Sequence, residues 1–404
     1  MAESSRAKFA LILGGMSAFG PLSMDMYLPA LPAIAGELHA GASQVQLSLM
    51  ACTTGLALGQ LVMGPLSDTY GRRRPLLIGV VVFALASLAC ALAPSAYALA
   101  ALRLVQGFGG AAGIVIARAV VRDLFSGVAL AKFFSLLMLV NGVVPVLAPV
   151  LGGQLLRLTS WRGVFVTLCA IGAALLVAAL LALPETLPQE QRRPGSLPQT
   201  LRTFCTLLRD RSFVGFALSA SLAFAAMFAY ISGSSFVLQD VHRLSPQMFS
   251  LVFGVNSIGI VTMGQINGLL VGKVDSRRLL AIGLGGNAVG GVSVAVSTVL
   301  GLGLPALLPA LFVTVASIGL VFPNATALAL SGHREMAGSA SALLGVLQFM
   351  IGGLVSPLVG IAGSHTEVPM GLVMGTLSLS AVLVFVVLAR RRSEETAEPV
   401  TSAG

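Results

Sequence analysis

The chain alternates long apolar runs with short polar interruptions. Runs fall near residues 9–34, 43–66, 75–93, 97–119, 132–155 and 162–183, and again near 211–236, 247–271, 278–299, 304–330, 339–362 and 368–389. Each approaches or exceeds the roughly 20 residues a helix needs to cross a bilayer. The pattern predicts an all-α membrane protein of twelve transmembrane helices. Twelve spans use on the order of 240 residues, which leaves only loops and termini from a chain of 404.

Between residues 184 and 210 the apolar pattern lapses. Pro188, Pro194 and Pro198 fall among charges there, as in a polar connection. The predicted organisation is a six-helix bundle over 1–183, a cytoplasmic linker over 184–210, a second six-helix bundle over 211–392, and a disordered cytoplasmic tail over 393–404. A faint internal repeat supports the halving: Gly71-Arg72-Arg73-Arg74-Pro75-Leu76 after the second run is echoed by Asp275-Ser276-Arg277-Arg278-Leu279-Leu280 after the eighth.

Composition narrows the picture further. Apolar residues make up 56% of the chain and charged residues 10%, against roughly 25% charged in soluble domains. The net charge of +9 raises the question of nucleic acid, but the basic residues are spaced as topology signals. With the N-terminus inside, 20 of the 24 Lys and Arg fall on the cytoplasmic side, among them Arg6, Lys8, Arg118, Arg193, Arg334 and Arg390–Arg392. Arg157, Arg162 and Arg243 fall outside, and Arg103 lies within a span. This split obeys the positive-inside rule, and a missed span would invert everything after it. Ala33-Ile34-Ala35 mimics a signal-peptide cleavage site, yet its apolar stretch is too long, contains Pro21 and Asp25, and precedes many more spans. The four cysteines, Cys52, Cys90, Cys169 and Cys205, stand too far apart to imply a disulfide framework or a metal site.

Ionisable residues inside spans are the candidates for chemistry, because a charge in hydrocarbon costs about 2.5–3.5 kcal/mol on insertion scales. Asp25 is the only one of fifteen acidic residues well inside a span. Burial favours a neutral carboxyl, and a neighbouring guanidinium favours a charged one. Counting about 1.5 Å per residue places Asp25 about 12–15 Å and Arg103 about 8–9 Å below the outer membrane surface. The pair is therefore expected in the outer half of one cavity, as a proton-coupling site or as a structural ion pair; Arg103 has the further alternative of snorkelling outward. Softer candidates for substrate contact are Tyr27, Phe224, Phe228, Tyr230 and Asn256, which supply the aromatic and amide groups drug pockets use but equally suit packing. The histidines His39, His242, His333 and His365 fall in loops, and no His pair, His-Glu cluster or Ser/His/Asp set stands within the spans, which disfavours an enzyme.

Several motifs carry a resemblance. The segment Gly64-Pro-Leu-Ser-Asp68-Thr-Tyr-Gly71-Arg72-Arg73-Arg74 resembles the signature loop of the major facilitator superfamily, with Thr69 where a basic residue often stands. Arg103-Leu-Val-Gln106-Gly107 resembles the family's Arg-bearing motif of the fourth span. Gly142-Val-Val-Pro145-Val-Leu-Ala148-Pro149-Val-Leu-Gly152-Gly153 resembles the antiporter motif of its exporters, with Ala148 for the usual glycine. Met24-Asp25-Met26-Tyr27-Leu28-Pro29-Ala30-Leu31-Pro32, Pro184-Glu185-Thr186-Leu187-Pro188 and Met336-Ala337-Gly338-Ser339-Ala340-Ser341 are similar to the bicyclomycin and chloramphenicol resistance branch of drug:proton antiporters. Val121-Arg122-Asp123-Leu124-Phe125 and Phe224-Ala-Ala-Met227-Phe228 resemble its bicyclomycin-resistance members.

The resemblance implies two pseudo-symmetric bundles with parallel repeats and both termini cytoplasmic. It also implies a conformational latch of Gly64, Asp68, Gly71, Arg72, Arg73 and Asp123. In that latch Asp68 meets the start of span eleven near Gly338–Ser341 in the outward-open state, while Arg72 and Arg73 pair with acids such as Asp123. The function implied is proton-coupled export of small antimicrobials from a bacterial cytoplasmic (inner) membrane by a monomer. The proton gradient is the energy source, and no cofactor, metal or nucleic acid is expected. A facilitator for an endogenous metabolite is the alternative.

Overall fold

A computed structural model describes residues 3–125, 127–192, 197–333, 336–363 and 365–389. The predicted linker residues Arg193 and Pro194, the topology charges Arg334 and Arg390–Arg392, and the tail 393–404 lie outside the described residues. Ten helical segments among the described residues are long and apolar enough to cross a membrane.

The N-terminal half holds α1 (Glu3–Ser17), α2 (Phe19–Asp25), α3 (Leu31–Glu37), α4 (Ala42–Tyr70), α5 (Arg73–Ala91), α6 (Ala96–Leu124), α7 (Gly127–Leu155) and α8 (Trp161–Ala182). The C-terminal half holds α10 (Arg211–Phe236), α11 (Pro246–Leu270), α12 (Ser276–Val299), α13 (Leu304–Ala316), α14 (Ile318–Ser331), α15 (Ala337–Val359) and α16 (Val368–Leu388). Between them lies α9 (Leu197–Arg209).

Two expected spans are discontinuous. The first is broken after Ser17 and again after Asp25, where a 3₁₀ turn over Leu28–Ala30 carries Pro29. The tenth is broken at Ser317 into α13 and α14. Interior helix breaks release backbone groups that only a protein-lined surrounding can satisfy, and both breaks lie deep between neighbouring helices: Leu28 and Ile318 are fully buried. The linker also differs from its expectation as a plain loop, because it contains α9. Phe204 and Leu207 of that helix are buried while Arg202, Cys205 and Arg209 face outward, and it packs on α10 and α15. The proline-based reading missed this 3.6-residue periodicity because Pro194 and Pro198 marked the segment as a connection.

Small residues hold the N-terminal half together. A Cβ on Gly55 would sit 2.1 Å from the Leu104 carbonyl, and one on Gly107 would sit 2.2 Å from that of Cys52. This backbone approach of α4 to α6 is the packing that membrane helices use in place of hydrophobic collapse.

The halves meet at the end opposite the linker, here the far end. Among the described residues six hydrogen bonds join them, and all six lie there. Ser43 Oγ donates to Pro357 O (2.9 Å), Gln46 Nε2 to Ser232 O (2.9 Å), Ser356 Oγ to Gln46 O (3.2 Å), Ser235 Oγ to Leu28 O (2.6 Å), Gln239 Nε2 to Pro29 O (3.1 Å) and Gln247 Nε2 to Gly153 O (2.9 Å). Toward the linker end α4 and α15 part. A Cβ on Gly345 would lie 3.5 Å from Gln60 Oε1, whereas one on Gly338, two turns closer to the linker, would have no neighbour within 4 Å.

Candidate functional site

The parted halves enclose a cavity of about 470 Å³, within the range of about 300–1,000 Å³ typical of small-molecule sites. Its two walls differ in chemistry. From the C-terminal half come Phe224, Phe228, Tyr230, Phe253, Phe322 and Phe349. The Phe224 ring lies 5.6–5.8 Å from those of Phe228, Phe322 and Phe349, and Tyr230 stacks on Phe253 at 5.4 Å. Asn256 Nδ2 donates to Tyr230 Oη at 2.9 Å. It therefore orients the tyrosine from behind, while Ser257 takes the lining position expected of Asn256.

The N-terminal wall supplies Asp25, Gln60, Arg118 and Pro145. Asp25 closes α2 and is 6% exposed. Its carboxylate makes no hydrogen bond or ion pair among the described residues, and it faces the cavity. The broken helix is what places it there, because the chain turns away immediately after it into the 3₁₀ segment.

Two sequence expectations require correction. Tyr27 and Arg103 are absent from the cavity wall. Tyr27 follows Asp25 by two residues, about 200° around a helix, and points into the N-terminal bundle, where Tyr27 Oη and Ser48 Oγ share a 3.0 Å hydrogen bond. Its ring covers Arg103, whose Cζ lies 4.3 Å from the ring centroid and 5.7 Å from that of Phe165. Arg103 Nη1 donates to Gln106 Oε1 at 2.5 Å, and Gln106 Nε2 donates to Ser87 Oγ at 2.7 Å. Stacking of a desolvated guanidinium on aromatic faces is worth about 2 kcal/mol or more, comparable with its insertion cost. Arg103 therefore stands behind Tyr27 in the bundle interior, and the two predicted coupling residues do not share one open cavity.

The antiporter-motif residues sit at the joint between the halves. A Cβ on Gly152 would lie 1.8 Å from Met26 O, at the break after α2, and one on Gly153 would lie 2.4 Å from Ser250 Oγ of α11. Gly142 faces Val261 of α11 at 3.7 Å. Pro145 lines the cavity and Pro149 is buried. These contacts lay α7 against α11 with the helix break wedged beside them.

At the linker end the signature loop is a dense ionic cluster. Gly71 has φ +88°, a left-handed conformation that favours glycine, and a Cβ there would meet Glu185 and Arg192. Arg72 Nε donates to Asp123 Oδ2 at 2.9 Å, Arg72 Nη1 donates to Ser67 Oγ at 2.8 Å, and Arg72 also pairs with Asp68. Gly64 packs toward Val115 of α6 at 3.8 Å. Arg73 departs from the expected acidic partner, since its Nη2 donates to Leu180 O at 2.8 Å. Asp68 does not touch α15 in this conformation, because the halves are apart at that end; its side chain is 52% exposed.

Sequence reasoning missed the anchor of this cluster. Glu185 Oε1 accepts from Arg72 N (2.7 Å) and Oε2 accepts from Arg73 N (3.2 Å), so a residue from the end of α8 caps the exposed N–H groups at the start of α5. Partial burial pushes its carboxyl up, but the N–H groups of Leu187, Arg72 and Arg73, with Arg192 beside them, outweigh this and hold it below the ordinary glutamate value. The signal was its place in Pro184-Glu185-Thr186-Leu187-Pro188, immediately after a span. Arg118 was missed for a different reason. The fourth apolar run ends near residue 119, which made Arg118 a boundary charge, but α6 continues to Leu124 and carries Arg118 into the cavity wall.

The profile of the Major Facilitator Superfamily matches residues 13–357. The chain belongs to that superfamily. Among curated proteins it is 44% identical to the uncharacterized MFS-type transporter YdgK of Bacillus subtilis over 389 residues, covering 96% of each chain. It is 33% identical to the bicyclomycin resistance protein homolog of Haemophilus influenzae over 391 residues, covering 96% of this chain and 98% of that one. Identity to the multidrug resistance protein MdtL of Salmonella heidelberg is 28% over 393 residues, with 96% and 95% covered. Among solved structures the fold superposes on the nucleoside transporter NupG with a TM-score of 0.78 at 12% identity, covering 96% and 100% of the two chains. On a D-xylose-proton symporter it does so with a TM-score of 0.76 at 17% identity, covering 96% and 98%. The chain is thus a multi-pass membrane protein of a transporter family. The names of the Haemophilus and Salmonella relatives agree with the resistance-branch resemblance of its first span.

Proposed function

We propose that this protein exports small antimicrobial compounds of the bicyclomycin or phenicol kind in exchange for protons, from the cytoplasmic (inner) membrane of a bacterium. The carrying observation is Asp25: a carboxylate in the cavity wall, 6% exposed and without a partner among the described residues, opposite an aromatic surface. In this reading the discontinuous first segment and α7 join the ten long helical segments as the remaining two of twelve passes, both termini are cytoplasmic, and the linker end faces the cytoplasm. No cofactor enters the cycle, and one chain suffices.

Drug enters from the linker end and packs on Phe224, Phe228 and Tyr230 while Asp25 is deprotonated. Closure at the linker end and parting at the far end then present Asp25 to the outside, where it takes a proton and drug leaves. The six far-end hydrogen bonds, each worth about 0.5–1.5 kcal/mol net, are the main polar interactions to be exchanged. Closure of the opposite end, including the contact of Asp68 with α15, supplies their replacement, so that the two states differ by only a few kcal/mol. Arg103, held behind Tyr27, acts on Asp25 by charge through the bundle interior.

The test is transport in everted vesicles of an efflux-deficient host under an imposed pH gradient, with bicyclomycin and phenicols in the panel. Gradient-dependent accumulation of one of these compounds is expected, with protons moving the opposite way. Substrate moving with the protons would identify a metabolite facilitator instead, and substrate movement without any proton flux would end the antiport reading.

A further inference from the structure

Arg118 is not accounted for by the coupling scheme. It stands a turn and a half inside the linker end of α6, lines the cavity, and is half-buried. Among the described residues it makes no hydrogen bond or ion pair, unlike Arg72, whose guanidinium is held by Asp68 and Asp123. Deeper on the same wall, Gln60 Nε2 is buried without an acceptor, while Gln60 Oε1 lies near Gly345 across the cavity. A cationic set of donors thus faces the cavity with nothing among the described residues to receive it, and an unpaired amide lies buried in the wall beside it. An unpaired buried amide costs roughly 1–3 kcal/mol, and a charged group more.

Their spacing along the cavity follows from helix register. Gly113 of α6 abuts Met16 and Phe19. Asp25 lies six residues beyond Phe19 toward the far end, and Arg118 five residues beyond Gly113 toward the linker end. At 1.5 Å per residue their levels differ by on the order of 15 Å. Carboxylate and guanidinium therefore stand at opposite ends of the cavity, too far apart to neutralise one another, with Gln60 between them. Among the described residues the facing wall contributes aromatic rings and the neutral polar groups Thr326, Ser341 and Gln348, but no carboxylate to satisfy Arg118.

We propose that Arg118, assisted by Gln60, forms a substrate subsite for an anionic or strongly accepting group, selecting aromatic amphiphiles that carry such a group at their trailing, linker-side end and disfavouring cations. This rests on the reading of the cavity as the substrate site. It gives Arg118 a role in specificity, separate from the proton chemistry at Asp25.

The experiment measures equilibrium binding of three isosteric probes to the purified full-length protein in nanodiscs, with empty nanodiscs subtracting lipid partition. The probes are 1-pyrenebutyrate, its neutral amide, and the corresponding trimethylammonium. The wild type is expected to bind the carboxylate at least tenfold more tightly than the cation. In Arg118→Gln the ratio of carboxylate Kd to amide Kd should rise about tenfold, Arg118→Lys should restore most of the preference, and Gln60→Leu should raise the ratio about threefold. Phe228→Ala should weaken all three probes together, which reports on the cavity alone. Unchanged ratios in Arg118→Gln, with Phe228→Ala still weakening binding, would overturn the subsite and leave the cavity reading standing. No specific binding of any probe to the wild type, or binding indifferent to Phe228→Ala, would overturn both.

Discussion

The two halves share a fold but divide the work at the cavity between them. Among the described residues every carboxylate and guanidinium in the wall, Asp25 and Arg118, comes from the N-terminal half, while the C-terminal half presents aromatic rings, short hydroxyls and an amide. Charge needs a rigid frame, because a displaced ion in low dielectric is costly. The glycine-mediated contact of α4 with α6 provides that frame. An apolar surface that accepts varied molecules needs area more than exact placement, and the Phe224 cluster supplies it.

Substitutions on the two sides should therefore fail differently. The largest effect is expected at Asp25: Asp25→Asn should reduce pH-gradient-driven efflux in liposomes to background at normal protein abundance, and coupled efflux at the wild-type rate would remove Asp25 from the mechanism. On the other wall Phe228→Ala should weaken substrate binding about tenfold, as expected for losing about 1.5 kcal/mol of aromatic contact, while proton-coupled exchange still occurs at saturating substrate. Loss of coupling at saturation would erase the division between the halves.

Away from the cavity the effects become smaller. Asp68→Asn should slow turnover several-fold and leave substrate Kd within a factor of two in direct binding measurements, because its postulated contact with α15 belongs to the opposite state. A selective loss of affinity would contradict the latch. The smallest effect concerns Glu185 and depends on pH. A carboxyl held below its ordinary value stabilises the fold fully above the unfolded value near 4.3 and loses that contribution as pH falls through the folded value. Glu185→Gln should therefore lower Tm by about 2 °C at pH 7, with the gap closing toward pH 3. A gap that persists or widens in acid would show that the cap does not depend on charge.

Much of this was legible along the chain. The apolar runs located the helices, with ends up to about six residues off at α1, α6 and α7, since crossing a bilayer demands length and apolarity that short windows report. Solitary Asp25 was legible because a carboxylate inside such a run is expensive enough to need a reason. Composition likewise marked the aromatic residues of span seven, and the resemblance to the superfamily marked the signature loop. The amphipathic α9 and the capping role of Glu185 were readable only in part, since prolines beside a short helix and an acid in a loop each have many other uses.

What the chain fixes by itself is periodicity and inventory: how many residues are apolar in a row, and which few are charged among them. Direction around each helix, and which helix lies opposite, are decided by packing. Tyr27 and Asp25 are two residues apart, yet the break after α2 sends one onto Arg103 in the bundle and the other into the cavity. Arg118 belongs to the cavity because α6 continues past the apolar run, and the absence of an acid opposite it is a property of the other half. Hydrophobic patterning acts through nearest neighbours in sequence, whereas the partners of a charge are set by packing and reach from Asp68, four residues from Arg72, to Glu185, 113 residues away.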